Sequence, residues 1–395
     1  MKHYDFIFAG GGGSSLALLL ALHNIDGLKD FSVLIIEPDP KNTNDRTWCF
    51  WTDHRDNAFP LVKDIIDHRW TKINNVHQQI SALKPFEYIQ IRSAEFYAKA
   101  DEILAQYPQV ERIRDKVISL EEQKDRLVIS TEKENFSCDK LFDSRPPKLK
   151  SSELLWQSFV GWRIKTDKAV FDTDTCTLMD FEVPQNGALQ FMYLLPTAEN
   201  KALIEFTRFG SAVLSKEESV PIIEKYLTDM GIATYEIEEW EIDKIPMSVE
   251  LNRAARFYPQ DQRIIPIGLS AGNAKASTGF AFKNILKHSA HLAAHLHKRE
   301  KRLPRPVQKV NFKYYDQLLL RLLNQKPDLS KKLFVRLFEK HPLNRILRFL
   351  DEETSFGEDL QIMYQMPWLP FFWSIKESIL HGGSIAKPGE RKKHS

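Results

Sequence analysis

Two groups of residues in this sequence have the types and spacing to do chemistry. One is the run Gly10-x-Gly12-x-x-Ser15, with Gly13 inside it, set between apolar stretches at 4–9 and 16–22. Such a run suits a pyrophosphate. The first glycine permits a tight turn, the second lets backbone approach the phosphates, and a small third residue lets a helix lie close to the strand. The free N–H groups that open this helix then face the negative charge. Glu37 closes the next apolar stretch, 31–36, where an acid can accept hydrogen bonds from ribose hydroxyls. Residues 1–40 are therefore expected to hold the adenosine diphosphate half of a dinucleotide.

The second group is a carboxylate in apolar company. Within 202–209, a strand puts Leu203, Glu205, Thr207 and Phe209 on one face. A glutamate so placed is an exposed residue, a salt-bridge partner or a functional acid. In the last case desolvation raises its pKa and keeps it protonated near neutral pH, as a general acid requires.

The elements that must position these groups follow from the hydrophobic pattern. Strand 4–9, helix 14–23 and strand 31–36 make a βαβ unit whose strands are continuous apolar runs, as in a parallel sheet buried on both faces. Short strands at 117–120, 126–130 and 140–142 are joined by charged turns. Residues 156–210 are rich in β-branched and aromatic side chains, with turns at Pro184-Gln185-Asn186-Gly187 and Glu199-Asn200, and suggest an antiparallel meander. At 264–268 the parallel-sheet character returns. It runs into Leu269-Ser270-Ala271-Gly272-Asn273 and, after Thr278-Gly279, gives way to a helix reaching about residue 301. Two-segment FAD folds close over the ribityl chain at such a return, which selects FAD over NAD. Gly268, Gly272, Thr278 and Gly279 are its candidate contacts.

The expected fold is α/β. A Rossmann-like, two-segment FAD-binding domain of the hydroxylase type spans 1–150 and 263–303, with 45–85 partly facing substrate. An antiparallel β-sheet substrate domain spans 151–262, a C-terminal helical region 304–386, and a disordered tail 387–395.

Composition narrows the function classes. A net charge of +2 gives no argument for nucleic acid as a partner. Cys49, Cys138 and Cys176 stand far apart without ligand spacing, so reduced thiols are expected rather than disulfides or a metal site. The longest apolar run, 16–22, falls far short of the roughly 20 residues of a spanning helix. Asp5 and the glycine cluster break any signal-peptide pattern at the start. The expected location is cytoplasmic.

With these motifs in view, the chain resembles the bacterial lycopene cyclases, flavoproteins that close the ends of the linear carotenoid lycopene. The resemblance covers nearly the whole length. It is carried by the 5–15 fingerprint, Arg46-Thr47-Trp48-Cys49-Phe50-Trp51, Phe142-Asp143-Ser144-Arg145, Phe159-Val160-Gly161-Trp162 and Thr177-Leu178-Met179-Asp180-Phe181. It continues through Phe191-Met192-Tyr193-Leu194-Leu195-Pro196, Leu203-Ile204-Glu205-Phe206-Thr207 and the segment 268–280. Two departures are visible. The family commonly has proline where this chain has Ser277, before Thr278-Gly279. Its acidic motif often carries two adjacent glutamates, and here the second place is Phe206, so Glu205 is the sole candidate there.

The resemblance implies a mechanism. An acid protonates C2 of the terminal C1=C2 bond, the C5=C6 bond attacks the cation at C1, and loss of the C6 proton leaves a β-ring. There is no net redox change, yet the family needs reduced FAD, with NAD(P)H as the expected reductant. Reduced flavin would stabilise the cation, as would aromatic ring faces. Glu205 is the implied acid and Asp180, on a neighbouring strand, a second carboxylate. Trp48, Phe50 and Trp51 are the aromatics expected near the cation. The runner-up is a monooxygenase or prenyl-chain reductase of the same flavin architecture. A carotenoid substrate lives in the bilayer, so a membrane surface is an expected partner and peripheral association an expected state. Met366-Pro367-Trp368-Leu369-Pro370-Phe371-Phe372-Trp373 is the candidate docking segment. Other enzymes of the carotenoid pathway are further possible partners.

Three features are expected to be ordinary. Residues 351–354 read as helix-end or surface chemistry. His288, His291 and His295 share a helix face without an accompanying carboxylate, a weak case for metal. The basic tail Arg391-Lys392-Lys393-His394 reads as solvated.

Overall fold

The computed structural model describes residues 1–53, 55–75, 79–146, 149, 154–250, 257–306 and 308–365. The expected tail and the docking segment 366–373 lie outside them.

The apolar run of the first strand, Lys2–Ala9, makes it the centre of a sheet. It pairs in parallel with Val33–Ile36 on one side and Asn135–Asp143 on the other; Val110–Ile113 and Ile264–Pro266 extend these flanks, also in parallel. The register brings Ala9, Ile36, Ile113, Asp143 and Pro266 to one carboxyl edge. In open α/β sheets ligands bind in the crevice outside that edge. Asn135–Asp143 is longer than its sequence pattern suggests. Its first half pairs antiparallel with Leu127–Thr131, and only its last residues carry the parallel neighbour Ile264–Pro266. Ser137 and Asp139 interrupt the apolar run, so its true length is set by pairing rather than by pattern.

Helices Gly13–Asn24, Ser93–Leu104 and Phe282–His297 pack together on one face of this sheet. Residues 16–22 are all buried, because this helix is enclosed by the sheet and by both other helices. A helix in that position is apolar all round rather than striped.

The second sheet is built in the order Tyr235–Met247, Leu155–Thr166, Lys201–Gly210, Leu189–Ala198, Thr175–Asp180, Lys72–Asn74 and Ile80–Ala82. Of the expected meander, Thr175–Asp180, Leu189–Ala198 and Lys201–Gly210 pair in chain order, but Leu155–Thr166 lies beside Lys201–Gly210 rather than beside Thr175–Asp180; the chain also adds two short strands from 72–82 to the edge. Alternation sorts its residues. One face, with Val160, Ile204 and Phe206, packs on helix Lys216–Asp229 through Ile223 and Leu227. The other, with Leu195, Leu203 and Phe209, packs on Trp51, Trp70, Tyr88 and Ala276 and on the C-terminal helices. Between the sheets lies a small third one, in which Thr47–Thr52 and His68–Trp70 flank Glu87–Arg92.

Four helices follow: Val310–Gln325, Pro327–Lys340, Leu343–Leu350 and Phe356–Gln365. They are tied to the second cofactor segment by buried charge. Lys275 meets Asp316 and Glu352, each at 3.0 Å. Lys283 meets Asp56 at 3.0 Å and also Asp351, which accepts from the Trp51 indole at 2.8 Å. Residues 351 and 352 are therefore interior cross-links rather than the surface chemistry their sequence suggests. Nothing local in Asp351-Glu352-Glu353 announces the lysines, which sit about seventy residues earlier in the chain.

Candidate active site

The glycine fingerprint has the expected shape. Gly10 sits at φ +103, and a Cβ there would come within 2.3 Å of the Ser144 hydroxyl, so the turn demands glycine on two counts. The Ser15 hydroxyl donates to the Gly10 carbonyl at 2.6 Å and pins the helix start to the turn. Glu37 accepts the Gly11 N–H at 2.7 Å. Gly12 caps helix Gly13–Asn24, and a Cβ built on it meets nothing within 4 Å. That open space at a helix N-terminus is where a pyrophosphate fits. Gly13 is different: Trp48 lies against it, 2.9 Å from where a Cβ would stand.

The second segment closes on the first. A Cβ on Gly268 (φ +63) would come within 2.7 Å of the Ser14 hydroxyl, so this turn sits directly on the helix start. Gly272 (φ +86) follows, and the amides of Thr278 and Gly279 both donate to the Lys275 carbonyl, at 3.3 and 2.8 Å. Gly279 (φ +72) approaches Gln157 of the second sheet so closely that a Cβ would stand 2.0 Å from its Oε1. Ser277 is anchored by donating to Asp316 at 2.6 Å. Three buried polar atoms here, Thr278 Oγ1, Gln157 Oε1 and Asn273 Oδ1, have no hydrogen-bond partner among the described residues. Buried polar atoms are almost always satisfied. Both segments thus fit a dinucleotide: an open phosphate cradle at Gly12 and unpaired polar groups around the second turn.

Glu205 lies on the second sheet's face toward this unit. Its strand neighbours are Gly161 on one side and Tyr193 on the other. It is half-buried, accepts from the Thr207 hydroxyl at 3.3 Å, and has no ion pair among the described residues. Burial, then the nearby Glu241 carboxylate, push its pKa up to about 8. It is a carboxylic acid at neutral pH. The same surroundings hold the Tyr88 and Tyr193 phenols and the Cys49 thiol well above their usual ranges, chiefly through burial.

The other expected residues divide. Asp180 does not join Glu205. It faces the opposite side of the sheet, where it accepts from Tyr226 of the covering helix at 2.9 Å and from the Glu182 amide at 3.0 Å. An unbroken ladder from Thr177↔Leu194 would pair Asp180 with Phe191, on the Glu205 face. The ladder instead has a bulge with Met179 at φ +55, and Asp180 pairs with Met192. One extra residue reverses the face.

Alternation also splits the aromatic trio. Trp48 and Phe50 turn into the core of the nucleotide unit, Trp48 stacked on Phe282 at 3.9 Å. Only Trp51, beside Phe280, joins the cluster on the Glu205 side, together with Cys49.

The sequence reading overlooked Glu241, Arg163 and Gln157. The alternation Glu239-x-Glu241-x-Asp243 and the strand glycine Gly161 were the available signals. His288 is buried between Asn273 and the Pro304 carbonyl, and burial lowers its pKa to about 4.

Comparison with known proteins is consistent with this geometry. The model of the family described as lycopene cyclase protein matches residues 5–376. Comparison with curated proteins gave no match. Among solved structures, a geranylgeranyl bacteriochlorophyll reductase-like protein of Thermoplasma acidophilum superposes with a TM-score of 0.56 at 12% identity, covering 96% of this chain and 99% of that one. The p-nitrophenol 4-monooxygenase of Pseudomonas putida gives 0.54 at 12%, covering 95% and 98%. A variant of the halogenase PltM in complex with FAD gives 0.57 at 13%, covering 88% and 82%. At these identities the likeness is one of fold.

Proposed function

This chain belongs to the lycopene cyclase family, and from that premise we propose that it is a lycopene β-cyclase: it closes the linear ends of lycopene, or a related linear carotenoid, into β-rings without net redox change. The observation that carries the reading is Glu205, a half-buried carboxyl held protonated at neutral pH on a sheet face it shares with Leu203 and Phe209.

Glu205 is the proton donor. Its proton goes to C2 of the terminal double bond and leaves a tertiary cation at C1. The C5=C6 bond closes the ring, and loss of the C6 proton restores neutrality. General acids so placed contribute roughly a hundred- to ten-thousand-fold. The apolar lining, with Leu203, Phe209 and Trp51, excludes water that would capture the cation, and the Trp51 ring offers it a negative face.

Gly10, Gly12 and Ser15 hold the pyrophosphate of FAD, Glu37 the adenosine ribose, and Gly268, Gly272, Thr278 and Gly279 the flavin half. Bound FAD, in the reduced form that NAD(P)H would maintain, would supply negative charge that favours a cation nearby. Peripheral contact with a membrane surface delivers the substrate, and no described helix is long and apolar enough to cross a bilayer.

The test is co-expression in a lycopene-accumulating bacterium, with chromatography of the pigments. Wild type should convert lycopene to ring-closed product. Glu205→Gln, nearly isosteric but unable to deliver a proton, should lose a hundredfold or more of that conversion while still binding FAD. Normal conversion by a flavin-loaded Glu205→Gln would remove Glu205 from the mechanism.

A further inference from the structure

Strand Tyr235–Met247 turns three acids toward the nucleotide unit, Glu239, Glu241 and Asp243, while Trp240 and Ile242 between them are exposed. Their partners differ. Glu239 is met by Arg92 at 2.9 Å, Arg163 at 3.4 Å and the Asn44 amide at 2.9 Å. Asp243 is met by Arg46 at 3.0 Å. Glu241, the central and most buried of the three, has no ion pair among the described residues. Its Oε1 accepts the Thr47 N–H at 2.7 Å, and its Oε2 has no partner among those residues. Removing a carboxylate from water with one backbone donor in return is costly, and structural acids are not usually left so.

The register says what Glu241 faces. Its ladder partner is Gly161, and the partner of Gly161 on its other side is Glu205. Residues in register share a face. The two glutamates therefore stand on one face, two strand spacings or about 10 Å apart at Cα. Gly161 itself puts no side chain between them. Leu203 and Glu205 both lean over the glycine: a Cβ there would be 3.1 Å from the Leu203 Cδ1 and 3.4 Å from both the Cβ and the Cγ of Glu205.

We propose that Glu205 and Glu241 act as one pair across Gly161, in which Glu241 is a positioning residue that keeps on Glu205 the proton Glu205 delivers. What the proton is used for rests on the cyclase reading; the pair itself does not.

Two carboxylates in dry surroundings cannot both ionise cheaply, so the proton is held by the pair. Burial raises both acids, and for Glu205 the charge of Glu241 is the next cause. The Arg163 guanidinium first, then the Thr47 hydroxyl and amide, favour charge on Glu241. The other groups facing Glu205 are Thr207, Tyr193, Tyr88, Cys49 and, farther off, Asp243. The phenols and the thiol stay neutral, and Asp243 has its arginine. Glu241 and Arg163 are thus the charges that set the protonation of Glu205.

The experiment compares wild type, Glu241→Gln, Glu241→Asp and Glu205→Gln as flavin-loaded enzymes. Two readouts are taken against pH: turnover with reduced FAD, and the infrared carbonyl band of the protonated carboxyl. In wild type the alkaline limb and the Glu205 band should both fall near pH 8. In Glu241→Gln both should move down by about one pH unit or more, with activity recovered at lower pH. Glu241→Asp should stay near wild type. Reciprocally, Glu205→Gln should lower the pH at which Glu241 ionises. Superimposable profiles, or uniform loss of activity with an unmoved band, overturn the pair and leave Glu241 a structural group. If no variant or wild type cyclises lycopene, the cyclase reading fails, and the infrared titration still decides the pair.

Discussion

At the scale of the residue, Glu205 makes the molecule's stability depend on pH in a definite direction. Its pKa in the folded protein, about 8, lies above the ordinary 4.5 of a free glutamate. The folded state therefore binds this proton more tightly than the unfolded chain. The stabilisation it brings is complete below the unfolded value and is lost as pH rises through the folded one. Glu205→Gln carries no such dependence. We expect its stability relative to wild type to rise by about 4 kcal/mol between roughly pH 5 and pH 9, read from thermal or urea unfolding at each pH. Parallel curves would mean that Glu205 titrates like an exposed acid. Glu205 was legible in the sequence because an acid between Leu203 and Phe209 breaks an apolar face. Asp180 was misjudged because one bulged residue, Met179, reverses which face it joins. Glu241 shows in the sequence only as one acid of the alternating run Glu239-x-Glu241-x-Asp243, with nothing local to single it out. Its meaning comes from pairing with Gly161, about eighty residues earlier, and register between distant strands leaves no trace in either one alone.

Elements show the same division between local and distant causes. The first βαβ unit was readable in order, its helix to within a residue at each end: helix 14–23 was expected and Gly13–Asn24 is found, because its turn, cap and apolar run are all local, while the strands expected at 4–9 and 31–36 are Lys2–Ala9 and Val33–Ile36. Strand Thr47–Thr52 was recognisable as an aromatic segment, but which of its rings face the site depends on the small sheet that orients it. Two-residue alternation then sends Trp48 and Phe50 one way and Cys49 and Trp51 the other. The glycine turn gives a prediction at this scale. A Cβ on Gly12 meets no protein atom within 4 Å, and its φ of −81 suits any residue. Gly12→Val should therefore fold with unchanged secondary structure by circular dichroism and lose bound FAD, since the branched side chain fills the phosphate space. A variant that purifies with a full complement of flavin would place the cofactor elsewhere.

For the whole molecule, the two sheets meet so that the carboxyl edge of one and the Glu205 face of the other enclose the segment Lys275–Phe280, locked in place by Lys275 and Lys283. The last described helix, Phe356–Gln365, exposes Phe356 and Leu360 on the side of one turn and leads into the aromatic segment 366–373. An anionic bilayer is the surface we assign to that end of the chain. The protein should sediment in part with anionic liposomes, and serine at Trp368, Phe371, Phe372 and Trp373 should weaken this without releasing FAD. Unfolding of that variant would instead make the four aromatics part of the core. The central claim, that protonation closes the ring with no net redox change, is tested most directly by isotope. The flavin-loaded enzyme, reduced and anaerobic in D2O, is given lycopene, and the product is weighed and its deuterium located. The account predicts one deuteron gained per ring, at C2, with one proton lost from C6 and no reductant consumed in proportion to product. A product heavier by two hydrogens or by an oxygen, with stoichiometric NADPH consumption, would contradict it.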